Sequence, residues 1–177
     1  MSKLLFEKAR KIKMVLLDVD GVMTNGQVLL LPDGEEVKMF CIADGFGIVS
    51  AMKAGVRVGI ISGRTSAALK QRCEELHIED LHMNVMNKLP VLEEIAQKYQ
   101  LAYEAIAYVG DDVPDLPVLE RVGLSAAPSN AHHHVKKRVN LVLRKRGGEG
   151  AVREFIDFLL VAQQKERKLL EPFTTNL

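Results

Sequence analysis

Two aspartates, Asp18 and Asp20, follow a short apolar run and are the residues in this chain best suited to chemistry. The run, Met14–Leu17, predicts a strand buried on both faces, and Gly21 allows a tight turn directly after the pair. Because neighbouring carboxylates oppose each other's ionisation, a cation or several hydrogen-bond donors must stabilise them. Mg²⁺ binds carboxylates together with phosphate oxygens, and an aspartate can itself attack phosphorus. Taken alone, the motif is equally typical of a strand that ends in a hydrogen-bonded turn.

Polar residues also stand at three later positions where predicted strands end: Ser62, Lys88 and the pair Asp111 and Asp112. Each has a structural explanation of its own: a helix N-cap for Ser62, a surface charge for Lys88, and a turn for the aspartates. Since the carboxyl ends of parallel strands meet at one edge of a sheet, all of these residues would share one site. Together they supply a nucleophile, a proton-transfer group, metal ligands and donors for phosphate oxygens, the set that phosphoryl transfer requires.

Apolar runs alternate with amphipathic segments along most of the chain, which predicts an α/β fold with a doubly wound, parallel, Rossmann-like sheet. The predicted strands are 14–17, 57–61, 81–85, 105–109, 124–127 and 141–143. The predicted helices are 2–12, 46–54, a segment ending near 77, 90–100, 117–122 and 151–162, with Asp44 and Gly45 breaking the chain before the second. A single domain is expected over 1–162, followed by a flexible C-terminal tail over 163–177.

Residues 26–40 predict a β-hairpin, with strands at 27–31 and 37–40 around the turn Pro32-Asp33-Gly34. Both faces of this hairpin carry apolar residues, more than an isolated two-stranded ribbon can bury. The hairpin therefore either packs on its own domain or forms a contact between copies of the chain. We favour the contact between copies.

The strand-end motifs resemble those of the haloacid dehalogenase (HAD) superfamily of phosphatases, in the same order and over residues 14–115. The resemblance implies that Asp18 attacks phosphorus, and that Asp20 protonates the leaving oxygen and then activates water. It also implies that Ser62 and Lys88 hold phosphate oxygens. The implied metal centre contains Mg²⁺ bound by Asp18, the backbone carbonyl of Asp20 and Asp111, with Asp112 and Asp115 steadying the metal waters and Lys88.

The intervals between these motifs are too short to hold a cap domain, so the chain resembles the capless members of the superfamily. Among them it is similar to the family of phosphatases acting on 3-deoxy-D-manno-octulosonate 8-phosphate, over about residues 12–162. The residues that carry this similarity are the hairpin and the segments 44–48, 62–64 and 146–154. The resemblance implies a sugar-acid phosphate substrate and a homotetramer joined through the hairpins, in which the C-terminal tail can cover a neighbour's site.

The resemblance assigns substrate contacts to Asp20, Lys88, Asp44, Gly45, Gly63, Arg64 and Arg72. Arginine binds carboxylates through two parallel hydrogen bonds, which suits Arg64 and Arg72 to a sugar acid, although Arg72 alone is equally typical of a helix surface. The chain departs from the family by having Cys41, Ala43 and Val49 where Asn, Arg and Arg are common. Phosphatases that act on nine-carbon sialic-type sugar acids share this framework but lack the arginine at position 64, so Arg64 favours the octulosonate.

The composition limits the class of partners. The 177 residues carry a formal net charge of +1, which argues against binding of the whole chain to nucleic acid or to a membrane surface. No apolar run approaches the ~20 residues needed to cross a bilayer. Cys41 and Cys73 lack the spacing of a metal site, so we expect reduced thiols in a cytoplasmic enzyme. The three histidines at 132–134 are expected in a loop or at the start of a helix rather than at a metal.

A phospho-receiver signalling module is the remaining alternative, because it also combines a parallel sheet with clustered aspartates and a lysine. A receiver carries its phosphoacceptor aspartate after the middle strand and its acidic pair after the first strand. Here Ser62 has the middle position, and the second acidic pair follows the run 105–109. The order of the motifs therefore favours the phosphatase.

Overall fold

A six-stranded parallel sheet lies at the centre of the protein, as seen in a computed structural model that describes residues 2–166. The strands in chain order are β1 (Met14–Leu17), β2 (Leu29–Leu30), β3 (Glu36–Val37), β4 (Arg57–Ile61), β5 (Asp80–His82), β6 (Ile106–Val109), β7 (Leu124–Ala127) and β8 (Leu141–Val142). The sheet has the order β5-β4-β1-β6-β7-β8, while β2 and β3 pair only with each other. The predicted α/β fold with a parallel sheet is confirmed.

Helices cover both faces of this sheet and bury β1 completely. The helices are α1 (Lys3–Lys11), α2 (Ile42–Lys53), α3 (Ala67–Leu76), α4 (Leu89–Lys98), α5 (Leu116–Leu119), α6 (His133–Lys136) and α7 (Ala151–Ala162). Val15 and Leu17 pack in the core cluster that contains residues of α1, α2, α3 and α7, whereas Met14 and Leu16 pack in the cluster formed with α4, α5 and α6. Burial on both sides explains why β1 is an unbroken apolar run.

The direction of the strand order reverses at β1, which pairs with β4 on one side and with β6 on the other. In doubly wound sheets, ligands bind outside the carboxyl ends of the strands at such a switch point. Asp18 directly follows β1, Ser62 follows β4, and Gly110 follows β6, so all three stand at this crevice. The topology therefore brings together residues that lie more than forty positions apart in sequence.

The predicted hairpin is present, but its paired segments are shorter than predicted. Leu29 pairs with Val37 and Leu30 with Glu36 in an antiparallel ladder of two residues per strand. The face opposite Glu36 carries exposed apolar groups, with Leu29 57% and Met39 71% exposed. The sequence left open whether the hairpin packs on its own domain or contacts a copy of the chain. The face that carries Glu36 contacts the domain through Arg64, while the other face presents apolar surface. The contact between copies stays a prediction.

The second helix begins earlier than predicted, which corrects the expectation of a chain break at Asp44 and Gly45. Both residues lie in the first turn of α2, where an acidic side chain is favourable. Further along α2, Gly47 lies against α7, and a Cβ at this position would come 3.1 Å from Cδ of Arg153. Close packing between α2 and α7 therefore outweighs the low helix propensity of the glycines.

The described chain has no cap domain, as predicted, since only the hairpin, α2 and β4 lie between Asp20 and Ser62. The expected helix start at the histidines is also present, because His132 is the N-cap of α6. The predicted domain, 1–162, ends with α7, and its boundary stays a prediction. Residues 167–177 of the predicted tail lie outside the described residues. Within the part of the chain that the structure describes, no helix is long and apolar enough to cross a membrane.

Candidate active site

A buried lysine, Lys88, lies at the centre of the crevice and joins two of the predicted aspartates. Its Nζ lies 2.6 Å from Oδ1 of Asp18 and 2.7 Å from Oδ1 of Asp115. The Tyr108 hydroxyl oxygen is 3.0 Å from the same nitrogen. The lysine is only 5% exposed, which rules out the surface-charge explanation for it. Burial alone would lower the pKa of Lys88, but Asp18 and Asp115 outweigh this effect and raise it.

Asp115 supports the site with both of its carboxylate oxygens fully engaged. Oδ1 accepts hydrogen bonds from Lys88 and from the Tyr108 hydroxyl, the latter at 2.7 Å. Oδ2 accepts from the backbone N–H groups of Asp111 at 3.0 Å and Asp112 at 3.2 Å. A carboxylate oxygen has two lone pairs, so little capacity remains for a metal ion. Asp115 is therefore suited to holding Lys88, as the resemblance implied.

Asp111 completes a cluster of carboxylates at the base of the crevice. Carboxylate oxygens of Asp18, Asp111 and Asp115 lie within 4.8 Å of one another. The Asp111 side chain rests directly over Gly21, whose φ of +91° belongs to the left-handed region. A Cβ at Gly21 would lie 2.1 Å from Oδ2 of Asp111, so only glycine allows this close approach. The Asp-x-Asp-Gly turn is thus shaped to fit the second acidic loop.

The pKa values of two of these carboxylates show that their negative charges are poorly compensated. Burial raises the pKa of Asp18 to about 6, with Asp115 adding to the effect and Lys88 opposing it. Burial and, to a lesser extent, the neighbouring carboxylates of Asp18 and Asp115 together raise the pKa of Asp111 to about 8. Both groups would ionise at lower pH if a cation were placed between them.

The charges in this cluster match a divalent cation. When all three carboxylates are ionised, they and the single ammonium group of Lys88 carry charges of −3 and +1, which leaves −2. Hard oxygen ligands from few carboxylates are the set that Mg²⁺ prefers. Since Asp115 is engaged with four donors, Asp18 and Asp111 are the side chains that would hold the ion. The residues present therefore fit Mg²⁺, the cofactor predicted from the sequence.

The predicted acid/base residue, Asp20, is held by the hairpin rather than by the sheet. Its Oδ1 accepts a hydrogen bond from Nζ of Lys38, the residue after β3, and its Oδ2 lies 3.9 Å from Nε of Arg64. Glu36 contacts both cations, with Oε1 2.8 Å from Nζ of Lys38 and Oε2 bonded to Arg64. Burial would lower the pKa of Lys38, but hydrogen bonds to Asp20 and Glu36 outweigh it and raise the pKa.

Ser62 lies at the end of β4 with its side chain directed into the protein. It is 1% exposed, and its hydroxyl oxygen accepts a hydrogen bond from the N–H of Arg64 at 3.2 Å. The N-cap of α3 is Ser66, so the helix-cap explanation for Ser62 is wrong. Gly63 follows at the crevice with space above it, since the nearest atom to an added Cβ is 3.8 Å away. The phosphate-binding role of Ser62 and the substrate contact of Gly63 stay predictions.

The other predicted substrate residues lie where α2 meets α3 and α7. Asp44 is 2% exposed and accepts a 2.7 Å hydrogen bond from the N–H of Arg153 in the first turn of α7, so its side chain caps that helix. Arg72 pairs with Glu75 at 3.1 Å and lies over Gly45, where an added Cβ would come 2.3 Å from Nη2 of the arginine. The substrate contacts of Asp44, Gly45 and Arg72 stay predictions, as does the metal-water role of the exposed Asp112.

Sequence reasoning missed three residues that the structure brings to the site: Tyr108, Lys38 and Glu36. A signal was available for each of them. Tyr108 is the one polar side chain in β6, and a buried tyrosine hydroxyl normally has a hydrogen-bond partner. Glu36 and Lys38 are two positions apart in an extended segment, which places them on the same side of the hairpin. Neither signal identifies the partner, because the partner lies far away in sequence.

Comparisons with known proteins agree with the geometry. A family model described as haloacid dehalogenase-like hydrolase matches residues 80–156. The chain is 44% identical over 158 residues to the 3-deoxy-D-manno-octulosonate 8-phosphate phosphatase KdsC of Escherichia coli (strain B / BL21-DE3), with 89% of this chain and 84% of that protein covered.

Solved structures of similar phosphatases share the fold over nearly the whole chain. The 3-deoxy-D-manno-octulosonate 8-phosphate phosphatase from Yersinia pestis is 38% identical with a TM-score of 0.92, covering 93% of this chain and 89% of that one. The phosphatase of the same name from Moraxella catarrhalis, in complex with magnesium ion, phosphate ion and a KDO molecule, is 31% identical with a TM-score of 0.95, covering 98% and 100%. The chain therefore belongs to the 3-deoxy-D-manno-octulosonate 8-phosphate phosphatases of the haloacid dehalogenase superfamily.

Proposed function

We propose that the protein is a Mg²⁺-dependent phosphatase that hydrolyses 3-deoxy-D-manno-octulosonate 8-phosphate to 3-deoxy-D-manno-octulosonate (KDO) and phosphate, a step toward a lipopolysaccharide precursor. The observation that carries the proposal is the buried Lys88, which lies between Asp18 and Asp115 beside Asp111 at the carboxyl ends of the strands. Such a site combines a nucleophile with positive charge for the phosphate group.

The reaction proceeds in two steps on the side chains of this chain. In the first, an oxygen of Asp18 attacks phosphorus, and Asp20 gives a proton to the departing sugar oxygen, which leaves an aspartyl phosphate and KDO. In the second, water gives a proton to Asp20 and attacks phosphorus, which releases phosphate and restores the Asp18 carboxylate. Lys88 keeps an oxygen of Asp18 in place and offers its ammonium group to a phosphate oxygen, together with the Ser62 hydroxyl.

Asp18, Asp111 and the backbone carbonyl of Asp20 would hold Mg²⁺. The ion would supply positive charge that reduces the repulsion between the phosphate and the Asp18 carboxylate and stabilises the transition state. Asp115 acts indirectly, since it fixes the ammonium group of Lys88 and the backbone of Asp111 through its four hydrogen bonds. Supporting contacts of this kind hold catalytic groups in productive positions.

Recognition of the sugar acid is assigned to arginines at the rim of the crevice. Arg64 is half exposed next to Asp20, and Arg72 lines a cavity of about 280 Å³ together with Lys38. Guanidinium groups bind carboxylates with two parallel hydrogen bonds, which favours a sugar acid over a neutral sugar. Arg64 supports the eight-carbon acid over nine-carbon acids of the sialic type, whereas Cys41, Ala43 and Val49 depart from the family pattern.

The experiment is Mg²⁺-dependent phosphate release from a panel that contains KDO 8-phosphate, a nine-carbon sialic-type acid 9-phosphate and glucose 6-phosphate. We expect kcat/KM for KDO 8-phosphate to exceed the others by at least ~10-fold, because glucose 6-phosphate has no carboxylate for the arginines and Arg64 favours the eight-carbon acid over the nine-carbon one. The Asp18→Asn variant serves as the background control. Preference for the nine-carbon acid would overturn the substrate, and no release from any monoester would overturn the activity.

The same proposal includes self-association through the hairpin, as a tetramer, in the cytoplasm. The exposed apolar side chains of Leu29, Leu30 and Met39 support it, because a hairpin that exposes such side chains gains from burial against a copy. Cys41 and Cys73 are free thiols, as expected for a reducing compartment. Replacing the hairpin tip with a polar linker should dissociate the oligomer, and a native molar mass of one chain for the unmodified protein would contradict it. Cell fractionation tests the location.

A further inference from the structure

Lys38 is an unusual lysine, because its side chain is buried and its ammonium group is paired with carboxylates beside the active site. The side chain is only 2% exposed, although the hairpin that carries it is one of the most exposed parts of the fold. Its ammonium group contacts carboxylate oxygens of Asp20 and Glu36. Burying a lysine is unfavourable unless its charge is paired, so this arrangement needs both carboxylates.

Glu36 extends this contact into a closed group of four charges. Its second carboxylate oxygen bonds to Arg64, and Nε of Arg64 lies 3.9 Å from Oδ2 of Asp20. The two cations, Lys38 and Arg64, thus alternate with the two anions, which are Glu36 and Asp20 itself. Glu36 and Lys38 come from the hairpin, Arg64 follows β4, and Asp20 follows β1, so three separate segments determine the position of one side chain.

We infer that Lys38 is a positioning residue for Asp20, fixing the carboxylate that exchanges a proton with the departing oxygen. This inference rests on the proposed function, in which Asp20 is the acid/base residue. A free aspartate samples several rotamers at the surface, whereas proton transfer requires its oxygen to lie about 3 Å from its partner atom. Lys38 holds one oxygen of Asp20 from the hairpin, whereas Lys88 holds an oxygen of Asp18.

The test compares substrates that differ in their need for a proton donor. Phenyl phosphate has a poor leaving group and p-nitrophenyl phosphate a good one, so kcat/KM for the first depends far more on the acid. For Lys38→Met we expect kcat/KM on phenyl phosphate to fall about tenfold to a hundredfold and that on p-nitrophenyl phosphate by less than about threefold. Inhibition by inorganic phosphate should be unchanged, because Lys38 contacts Asp20 rather than the phosphate-binding groups.

Two further variants separate positioning from a structural role. Lys38→Arg should recover most of the activity on phenyl phosphate, since it keeps a buried cation that can bond to Asp20. Lys98→Met is the matched control, because Lys98 also pairs with a buried aspartate, Asp80 at 2.6 Å, but lies at the other end of the sheet. We expect this control to act on both aryl phosphates like the wild-type enzyme.

Equal losses on the two aryl phosphates, or a weakened inhibition by phosphate, would overturn the inference while leaving the proposed function intact. A wild-type enzyme without phosphatase activity would instead overturn the proposed function. If Lys38→Met does not fold, Glu36→Gln is used in its place. This variant weakens the contact between Glu36 and Lys38 but keeps the ion pair between Lys38 and Asp20. It should show the same dependence on the leaving group with a smaller loss, and an unchanged ratio between the two substrates would count against Lys38.

Discussion

Buried aspartates occur at both ends of the sheet, and they differ in how their charge is compensated. At the amino end, Asp80 begins β5 and accepts hydrogen bonds of 2.6 Å from Nζ of Lys98 and 2.6 Å from the hydroxyl of Tyr99. At the carboxyl end, the carboxylates of Asp18, Asp111 and Asp115 share one ammonium group. The first site is electrically balanced, whereas the second carries a charge of −2 when its three carboxylates are ionised.

This difference separates a structural ion pair from a site that requires a ligand. A cavity of about 360 Å³ lies beside Asp80, so the presence of a cavity does not distinguish the two ends. Unbalanced charge distinguishes the two ends of the sheet. Like charges in a buried cluster are tolerated only where a cation, or an anionic substrate with its metal, restores the balance. Substitution of an aspartate should therefore reduce activity at the carboxyl end and stability at the amino end.

The largest effect is expected from Asp18→Asn, which removes the proposed nucleophile. Turnover of any phosphate monoester should fall by at least ~10⁴-fold, since the amide does not attack phosphorus. The fold should be retained, because the substitution is nearly isosteric and removes a poorly compensated charge. Steady-state phosphate release measures the first effect and thermal unfolding the second.

Asp80→Asn is the matched control at the other end of the sheet. It should keep kcat and KM within experimental error and lower the melting temperature by a few degrees, because Lys98 and Tyr99 lose their anionic partner. If Asp18→Asn retains substantial activity, or if Asp80→Asn reduces turnover as strongly, the contrast between the two ends is wrong.

The contrast also shows what the sequence could reveal. Asp18, Ser62 and Asp111 were predicted to share a site because each follows an apolar run, and parallel strands end at a common edge. Lys88 was harder to place, since it is the N-cap residue of α4 and lies six positions beyond the end of β5. Its predicted role was based on the order of the motifs along the chain rather than on the local sequence pattern. The structure places Lys88 in the site.

Contacts between distant segments set the limit of sequence prediction. The start of α2 was missed because Asp44, in its first turn, accepts a hydrogen bond from the N–H of Arg153, a contact across more than a hundred residues that local propensity does not report. The link between Lys38 and Asp20 was missed for a related reason, since the hairpin folds back onto the turn that follows β1. Residue types indicated the chemistry, but only the tertiary structure identified which groups hold it in place.

The next largest effect is expected from removing the shared cation. Lys88→Met leaves the carboxylates of Asp18 and Asp115 buried without their ammonium partner, which should cost about 3–5 kcal/mol in the free energy of unfolding at neutral pH. Lys98→Met at the amino end should cost much less, since Lys98 is more than half exposed and water can replace it. Denaturant unfolding of both variants measures the difference, and equal losses would show that the two ion pairs are equivalent.

The pH dependence of stability should differ from that of a protein with well-paired carboxylates. In the metal-free protein, the pKa of Asp18 is about 6 and that of Asp111 about 8, both raised chiefly by burial above the ordinary value for an aspartate. Between about pH 4 and pH 8 the folded state therefore holds protons that the unfolded state has lost, so stability falls as the pH rises. The loss from Asp18 alone is on the order of 3 kcal/mol.

Chelator-treated protein, unfolded with denaturant at a series of pH values, measures this slope. Asp111→Asn should flatten the upper part of the curve, between about pH 6 and pH 8, because the group with the higher pKa is gone. Stability that rises steadily from pH 4 to pH 8 in the metal-free wild type would contradict the assignment of excess negative charge.

The smallest effect is the stabilisation by Mg²⁺, which should also arise at the carboxyl end of the sheet. A ligand that binds only the folded state at a hundred times its Kd adds about 2.7 kcal/mol to the free energy of unfolding. The gain should be larger at pH 8 than at pH 5, because Asp18 and Asp111 must release their protons before they bind a cation. Asp111→Asn should lose most of this gain and Asp80→Asn should keep it, as followed by melting temperature against Mg²⁺ concentration. A Mg²⁺-induced shift that survives Asp111→Asn would place the ion elsewhere, and the charge imbalance would then need another explanation.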